Sequence, residues 1–358
     1  MSTKIIIVGA GAVGLTSAIR LLAAGYRVTL LERGAVGQEA SWAGGGILSP
    51  LCSWDYSEPV TRLAHRGMAM FGEAAQALQQ HTNIDPEYQR NGMLVLPPLD
   101  MTHAKNWCAQ HAFAAQTVNS PDYLPAHTSL ENPSALLLPE VAQVRNPRLL
   151  QALRARVAML GGEILEQCEV QNFVLNGVQI SALKTSQGEF SADGYVITAG
   201  AWSKQLLGEH ALQLEVKPIR GQILLLKFAA PPLQNIVLQQ DLYLIPRRDG
   251  HVLIGSTLED VGFDKSTTQT ARESLLRRTR ELFLSWKNFE PIQHWAGFRP
   301  ASPDNIPTIS RHPQLNNLYA NTGHFRYGVT MSFASAELLL NEIEARAQPI
   351  AVEAYRWK

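Results

Sequence analysis

The sequence contains few cysteines and carries no excess charge of either sign. Its 358 residues include three cysteines, at positions 52, 108 and 168, without metal-binding or disulfide spacing. We therefore expect free thiols, a reducing cytoplasmic location and no metal site. Lysine plus arginine and aspartate plus glutamate number 31 each, so no field favours nucleic acid or an anionic membrane as a partner.

Charged residues are scarce overall, and long uninterrupted apolar runs are missing. Charged residues make up 17% of the chain, against about 25% in typical soluble proteins. This predicts extensive buried surface, part of it in a homo-oligomer (dimer or tetramer). Residues 5–24 are mostly apolar, but Arg20 interrupts them. We therefore expect neither an integral membrane segment nor a signal peptide there.

What the N-terminus does contain is an apolar strand followed by a glycine-rich turn. Ile5 to Val8 form a short apolar run, as in a strand buried on both faces of a parallel sheet. Gly9, Gly11 and Gly14 follow at G-x-G-x-x-G spacing. The first glycine allows a tight turn, the second lets a pyrophosphate approach the backbone, and the third lets a helix pack on the strand.

The next segments extend this pattern to a dinucleotide site. A helix is predicted over 13–24, with free N–H groups at its N-terminus for phosphates. A second strand, 27–32, ends in Glu32, where a ribose diol would donate hydrogen bonds. The glycine-rich patch 34–48 includes three consecutive glycines that allow close approach of a flat ligand, which favours a flavin over a nicotinamide. Ser41 within it is a candidate helix cap or phosphate donor.

The rest of the chain mixes helical and strand patterns. Helices are predicted at 60–81, 102–116, 149–160, 268–286 and 329–347. Strands are predicted at 92–97, 163–170, 194–199, 217–227, 242–247, 251–256 and 318–322, with hairpin turns near 176–177 and 187–188. Residues 118–147, rich in proline, asparagine and serine, predict a crossing between domains. Residues 290–300 predict a return toward the first domain.

Five motifs, taken together, carry a family resemblance. They are Gly9–Gly14 with Glu32 and Arg33, then 41–47, 198–202, 295–300 (W-A-G-F-R-P) and 323–328 (G-H-F-R-Y-G). Over nearly the whole chain this pattern resembles the D-amino-acid-oxidase superfamily of FAD enzymes, and within it the glycine oxidase group of the thiamine pathway. The last two motifs are more specific to amine-oxidising members than the first.

The resemblance implies an α/β fold (α+β overall) with two domains. A Rossmann-like FAD-binding domain would be discontinuous, spanning 1–85, 145–213 and 300–358. A second, mostly antiparallel-sheet domain, 86–144 and 214–299, would bind the substrate over the isoalloxazine ring.

The resemblance and the glycine motifs together give a set of cofactor contacts. The candidates lie at the strand ends, in the second glycine patch and at the last helix entrance: Gly9, Gly11, Ala12, Val13, Gly14, Glu32, Arg33, Ala40, Ser41, Gly45, Gly46, Ile47, Val170, Ala199, Gly200, Trp202, Gly323, His324, Phe325, Arg326, Tyr327, Gly328, Val329 and Thr330.

The implied chemistry is oxidation of the C–N bond of a small amino acid. The resemblance assigns Arg299 to the substrate carboxylate, Arg326 to a place beside the flavin and in substrate binding, and Tyr243 to the carboxylate site. A guanidinium binds a carboxylate bidentately and keeps its charge when buried. Such anchoring would aim the Cα–H at flavin N5 for hydride transfer, with O2 reoxidising the flavin to give H2O2, and with hydrolysis to a keto acid and ammonia.

Four further points concern the flavin linkage, two alternative functions and the substrate. Relatives that hold flavin covalently use a cysteine in the C-terminal part, where this chain has none, so we expect non-covalent FAD. A D-amino-acid dehydrogenase that passes electrons to a quinone shares the fold, although no basic amphipathic helix for membrane docking is visible. A non-catalytic flavin-binding or partner-binding protein is a further alternative. The preferred substrate among glycine, sarcosine, D-alanine and D-proline is also open.

Overall fold

The computed structural model describes residues 2–125, 128, 130 and 132–358. In this part of the chain there are eight α-helices, and no helix combines the length and the apolar character that a membrane crossing requires. The helices are α1 Ala12–Ala23, α2 Ala40–Ala43, α3 Glu58–Thr82, α4 Met101–Gln110, α5 Asn146–Met159, α6 Ser203–Leu207, α7 Gln269–Leu282 and α8 Gly328–Ile343.

The described residues also form twenty strands, several of them only two or three residues long. In chain order they are β1 Lys4–Val8, β2 Arg27–Leu31, β3 Ile47–Leu48, β4 Gln89–Arg90, β5 Met93–Leu96, β6 Gln116–Asn119, β7 Ser134–Leu138, β8 Ala142–Gln143, β9 Glu163–Leu165, β10 Val170–Asn176, β11 Gln179–Thr185, β12 Gly188–Phe190, β13 Gly194–Ile197, β14 Lys217–Lys227, β15 Ile236–Gln239, β16 Leu242–Pro246, β17 His251–Gly255, β18 Gln293–Ala301, β19 Thr308–Arg311 and β20 Leu318–Thr322.

A six-stranded sheet forms the first layer, in the order β19-β20-β13-β1-β2-β9. Its neighbours pair in parallel except for the edge strand β19. Strand β1 is buried on both faces because successive side chains point to opposite sides. Ile5 and Ile7 pack with helices α1, α3, α5 and α8. Ile6 and Val8 pack with the hairpin sheet β10-β11-β12. The sequence-based prediction of a doubly covered parallel strand is confirmed.

An eight-stranded sheet forms the second layer, in the order β18-β14-β17-β16-β15-β5-β7-β6. Its pairs are antiparallel except for β15 with β5. Leu224, Leu244 and Ile254 on one face pack against α7. Ile223 and Tyr243 on the opposite face belong to a separate cluster with α4. The mixed α/β fold with a mostly antiparallel second sheet agrees with the prediction.

Several predicted elements differ from the structure. The helix predicted over 102–116 ends at Gln110, and β6 begins at Gln116. Residues 118–147 contribute β7 to the eight-stranded sheet, because the apolar run 135–138 pairs with β5, so their interpretation as a plain crossing is wrong; residues 126, 127, 129 and 131 of that segment lie outside the described residues. Residues 293–301 form β18 and pair with β14 along its whole length. They therefore belong to the second sheet.

Other predicted bounds shift by a few residues. The strand predicted over 163–170 is two strands, since β9 ends at Leu165 and β10 begins at Val170. The last helix ends at Ile343 instead of 347, and Ala345 beyond it has a positive φ of 51°. We retain the division into 1–85, 145–213 and 300–358 against 86–144 and 214–299 as a proposal.

Candidate active site

One cavity of about 590 Å³ lies where four strands of the six-stranded sheet end and the eight-stranded sheet begins. The residues after β1, β2, β13 and β20 all line it. The carboxyl ends of parallel strands in an open sheet are the usual place for a nucleotide. The predicted site residues that line it are Gly9, Gly11, Ala12, Val13, Glu32, Arg33, Ala40, Ser41, Gly45, Gly46, Ile47, Val170, Ala199, Gly200, Trp202, Tyr243, Arg299, Gly323, His324, Phe325, Arg326, Tyr327, Gly328 and Val329.

Two predicted cofactor contacts, Gly14 and Thr330, do not line the cavity. A Cβ atom on Gly14 would lie 2.0 Å from the carbonyl oxygen of Gly9, so this glycine allows the helix to pack on the turn. Thr330 is buried, and its hydroxyl donates to the carbonyl of Ile47 at 3.2 Å. These two residues support the cavity wall from behind.

The first glycine turn leaves the N-terminus of α1 open to the cavity. Gly9 has φ 107°, and a Cβ there would lie 2.7 Å from the carbonyl oxygen of Thr198. Gly11 precedes the helix, and a Cβ on it would meet the Ser41 hydroxyl at 3.1 Å. The Ser41 Oγ accepts a hydrogen bond from the Ala12 backbone at 2.9 Å. Ser41 is not the N-cap residue of α1, which is Gly11, but from α2 it satisfies one N–H at the start of α1.

Glu32 lies at the end of β2, in the position expected for a ribose-binding carboxylate. One of its oxygens accepts from the backbone of Ala10 at 2.8 Å and the other from Gly34 at 3.0 Å. A carboxylate has about four acceptor positions, so each oxygen can still accept from a diol. Beside it, the Arg33 guanidinium lies 3.6 Å from the ring centroid of Trp202, a cation–π contact on the cavity wall.

The second glycine patch is pressed against the eight-stranded sheet. A Cβ on Gly45 would lie 2.5 Å from Ile245 Cδ1, and one on Gly46 would lie 2.2 Å from the carbonyl oxygen of Val144. The glycines therefore permit close approach of protein as well as of a ligand. Arg247 fixes this arrangement by donating to the carbonyl of Gly45 at 2.7 Å. Burial lowers the pKa of Arg247 to about 10, so it is still a cation at neutral pH.

Arg299 on β18 points across its partner strand into the cavity. Its guanidinium donates to the carbonyl of Thr257 at 3.1 Å and to the hydroxyl of Ser256. A Cβ on Gly221 would lie 2.1 Å from Arg299 Nη1, so only a glycine leaves room for this side chain. Among the described residues no carboxylate pairs with Arg299. Burial lowers its pKa, and the nearby Tyr243 opposes that effect.

Tyr243 lies on β16 and reaches the same part of the cavity over a second glycine. It pairs across the strands with Gly255, where a Cβ would lie 2.5 Å from the Tyr243 hydroxyl oxygen. The side chain is 7% exposed. The structure therefore brings Tyr243 and Arg299 together, as the resemblance implied.

Arg326 precedes α8 and places a second cation at the cavity. It follows Phe325, which has a positive φ of 49°, and its Nε is buried without a partner in the described part of the chain. The charge of Arg326 contributes to lowering the pKa of Arg299, so the two guanidinium groups are close enough to repel each other electrostatically. Two neighbouring cations with no counterion within the described residues are suited to binding an anionic ligand.

His324 also lines the cavity, but in the neutral form. Its side chain is 2% exposed, its Nε2 has no partner among the described residues, and burial lowers its pKa to about 3. A neutral imidazole carries one donor and one acceptor nitrogen. It can therefore hydrogen bond to a cofactor or a substrate without adding charge to the two arginines.

Sequence reasoning missed several lining residues, among them Asn146, Gly221 and Ser256. Asn146 opens α5 and donates to the carbonyls of Ser41 and Gly44. A glycine inside the long apolar strand β14 was the available signal for Gly221, since glycine in a strand interior marks close approach of another group. Ser256 follows a strand and has no motif of its own.

These features fit FAD. The open N-terminus of α1 suits a pyrophosphate, Glu32 suits a ribose diol, and the missing Cβ of Gly11 leaves space at the turn. The buried unpartnered atoms of His324 and Arg326 would gain partners from polar groups of a ligand. The glycine turn, Glu32 and both arginines line the same cavity.

Comparisons with known proteins agree with this class of site. The profile of the FAD dependent oxidoreductase family, abbreviated DAO, matches residues 4–341. The chain therefore belongs to that family, and its cofactor is FAD.

Individual proteins of known name are also similar to this chain. The chain is 43% identical to a glycine oxidase of Pseudomonas aeruginosa strain PAO1, over 98% of this chain and 97% of that protein. It is 38% identical to a glycine oxidase of Pseudomonas putida strain KT2440, over 98% and 96%. The crystal structure of glycine oxidase from Geobacillus kaustophilus superposes with a TM-score of 0.92 at 24% identity, covering 100% of this chain and 99% of that one. The last comparison supports the fold.

Proposed function

We propose that this protein catalyses the oxidative deamination of glycine, and of other small amines or D-amino acids. The products would be glyoxylate (or the corresponding keto acid), ammonia and H2O2. The observation that carries the proposal is the pair Arg299 and Arg326, which line one cavity with Tyr243 and lack a carboxylate partner among the described residues. The similarity to glycine oxidases along almost the full length supports the choice of substrate.

The protein's contribution is positioning. Arg299 would bind the substrate carboxylate through two parallel N–H···O bonds. Tyr243 would donate its hydroxyl to the same carboxylate, and Arg326 would balance its charge from the other side. FAD, when bound, supplies the two-electron oxidation of the C–N bond and passes the electrons to O2. His324 would not act as a cation in this site, because burial lowers its pKa to about 3.

A peroxide assay tests the substrate and the acceptor together. Glycine, sarcosine, D-alanine and D-proline would each be offered under air, with a quinone acceptor in a parallel anaerobic series. We expect peroxide from glycine at a rate above that of the quinone series. Quinone reduction without peroxide would instead identify a D-amino-acid dehydrogenase, and no turnover with any of the four would favour a non-catalytic flavin-binding or partner-binding protein.

We also propose that FAD is held without a covalent bond. Burial raises the pKa of Cys52 to about 11 and also raises the pKa of Cys108, so neither thiol is an activated nucleophile at neutral pH. Cys168 lines the cavity, and its backbone N–H donates to the carbonyl of Glu32. Acid precipitation should leave the yellow colour in the supernatant; colour that stays in the pellet would show a covalent link.

The biological setting is part of the same proposal. We infer a cytoplasmic enzyme that forms a homo-oligomer, dimer or tetramer, and supplies thiamine thiazole synthesis with its oxidised product. The few unpatterned cysteines support the compartment, and the low charged fraction supports the assembly. The link to thiamine depends on the resemblance to the glycine oxidase group.

A further inference from the structure

Ser256 lies at the end of β17, between Gly255 and Thr257, and lines the cavity. Its hydroxyl receives a hydrogen bond from Arg299 Nη2. A guanidinium can only donate, so the serine oxygen is the acceptor in this bond. The hydroxyl hydrogen is therefore directed elsewhere, and within the described residues no protein acceptor receives it.

The surrounding contacts hold Ser256 and Arg299 in one arrangement. The carbonyl of Thr257 accepts from Arg299 Nη1 at 3.1 Å, and the Thr257 hydroxyl oxygen accepts from the backbone of Gln222 at 2.9 Å. The loop that follows is anchored by Arg220, which is 4% exposed and pairs with Glu259 at 2.6 Å. A third bond runs from Arg299 Nη1 to the carbonyl of Arg220 at 3.4 Å. Because the other two bonds of Arg299 end on adjacent residues of one anchored segment, the hydroxyl and the guanidinium face the cavity together.

We propose that Ser256 is a substrate-binding residue, whose hydroxyl donates to the carboxylate that Arg299 binds. The inference deepens the proposed function and rests on it. The hydroxyl accepts from a cation and donates to an anion, and each of these bonds polarises the other. The carboxylate thus gains a third protein donor in addition to Arg299 and Tyr243, and this donor lies next to the Arg299 guanidinium.

The test measures carboxylate binding and turnover in S256A, with S256T as the variant that keeps the hydroxyl. The dissociation constant of acetate is measured on the FAD-loaded proteins by the change in flavin absorbance, and KM and kcat are measured with glycine. We expect S256A to raise both the acetate Kd and the glycine KM about tenfold, the loss expected for one hydrogen bond to a charged group. The kcat should change less than twofold, and S256T should restore most of the affinity.

A second variant keeps the test decisive if S256A does not fold. S256C retains a side chain of similar shape, but a thiol is a weak donor, so it should share the raised Kd and KM. A direct contact also predicts that S256A lowers kcat/KM further in the R299A background. No further loss in that background would reduce Ser256 to a brace for Arg299 and would overturn the inference.

The outcomes separate this inference from the proposed function. If the wild-type protein binds acetate and oxidises glycine while S256A and S256C do so equally well, only the role of Ser256 fails. If the wild-type protein neither binds acetate nor oxidises glycine, the proposed function fails and the Ser256 contact with it.

Discussion

Two glycines in the eight-stranded sheet leave the space that Arg299 and Tyr243 occupy. A Cβ on Gly221 would overlap the Arg299 guanidinium, and one on Gly255 would overlap the Tyr243 ring. Neither glycine has a positive φ, so a left-handed backbone conformation does not account for them. Their function is to make room, which ties the identity of two strand residues to the shape of the carboxylate site.

The substitution G221A tests this role of glycine. A methyl group there would lie 2.1 Å from Arg299 Nη1, so the guanidinium must move out of its present position. We expect the KM for glycine to rise at least tenfold while FAD remains bound, measured by steady-state kinetics and by the flavin spectrum.

G72A is the matched control. Gly72 lies inside α3, and a Cβ there would be 3.4 Å from its nearest neighbour, the hydroxyl of Tyr88. The G72A substitution should leave the KM for glycine unchanged and stabilise the helix by about 0.5–1 kcal/mol. An unchanged KM in G221A would show that glycine binding does not depend on the present position of the Arg299 guanidinium.

The buried His324 predicts a pH dependence of stability with a definite sign. Burial lowers the folded-state pKa of His324 to about 3, whereas an unfolded histidine has a pKa of about 6.5. Between these values the unfolded chain binds a proton that the folded chain does not. Stability is therefore highest above the unfolded pKa and falls on acidification, by up to about 1.4 kcal/mol per pH unit for this ring.

Urea unfolding at pH 7.5 and 5.5 measures this contribution. H324N, which carries no titrating ring, should lose less stability between the two pH values than the wild-type protein. Other histidines whose pKa is lowered, such as His294 and His312, are present in both proteins and cancel in the difference. An equal loss in both proteins would contradict the neutral, buried state of His324.

Individual site residues were predictable only where a motif carried them. Glu32 follows from the spacing after the glycine turn, and Arg299 and Arg326 follow from two family motifs. Ser256 follows β17 and has no motif, and Gly221 was signalled only as a glycine inside a strand. The role of Gly221 depends on which residue of β18 lies across from which residue of β14. The register pairs Gly221 with Gly297 and Ile219 with Arg299, and nothing in the local sequence specifies it.

At the level of elements, the local patterns were the reliable ones. The strand, turn and helix at residues 4–23 could be predicted because their signals lie within twenty residues of each other. Strands β6 and β7 could not, since β7 pairs with β5 about forty residues earlier and the intervening segment is rich in turn-forming residues. The helix predicted over 102–116 was also too long, because α4 ends at Gln110 and Ala112 just beyond it has a positive φ of 51°.

The loop 256–268, between β17 and α7, connects the second sheet to the cofactor end of the cavity. Phe263 in this loop stacks on Trp202, with ring centroids 5.1 Å apart. Lys265 forms an ion pair with Glu39 at 2.7 Å. Trp202 and Glu39 both line the cavity, so the loop covers part of the wall that FAD would contact.

We therefore expect F263A to release FAD faster. The ring stays 42% exposed even in the stack, so its loss should affect the loop more than the folding of the chain. The FAD dissociation rate, followed as recovered flavin fluorescence after dilution, should rise at least threefold. L284A removes another exposed apolar side chain outside this loop and serves as the control. Equal dissociation rates in F263A and the wild-type protein would show that the loop does not retain the cofactor.

At the scale of the whole molecule, the two sheets divide the chemistry. In the proposed function, the six-stranded sheet would present strand ends and a helix N-terminus to a dinucleotide, and the eight-stranded sheet would present Arg299 and Tyr243 to a carboxylate. The composition shows equal numbers of acidic and basic residues. It could not predict that two cations would remain without a counterion in the described part of the cavity. That concentration of charge arises from the tertiary fold.

The oligomeric state is a further prediction at this scale. The accessible surface of 15000 Å² is close to the roughly 14,000 Å² expected of a monomer of this mass, so the exposed area alone does not demand an assembly. The low charged fraction still leads us to expect a dimer or tetramer. Light scattering should give two or four times the chain mass of 39.4 kDa; a single chain mass at micromolar concentration would contradict it.

The central claim is that Arg299 holds the carboxylate of an amino acid next to FAD, and R299A tests it most directly. Steady-state oxidation of glycine by the wild-type protein and by R299A would be compared, with bound flavin measured in both. Truncating a buried partner of a charge pair costs about 2–5 kcal/mol, so the KM should rise at least about 30-fold while the yellow cofactor is retained. An unchanged KM in a flavin-loaded R299A protein would contradict the account.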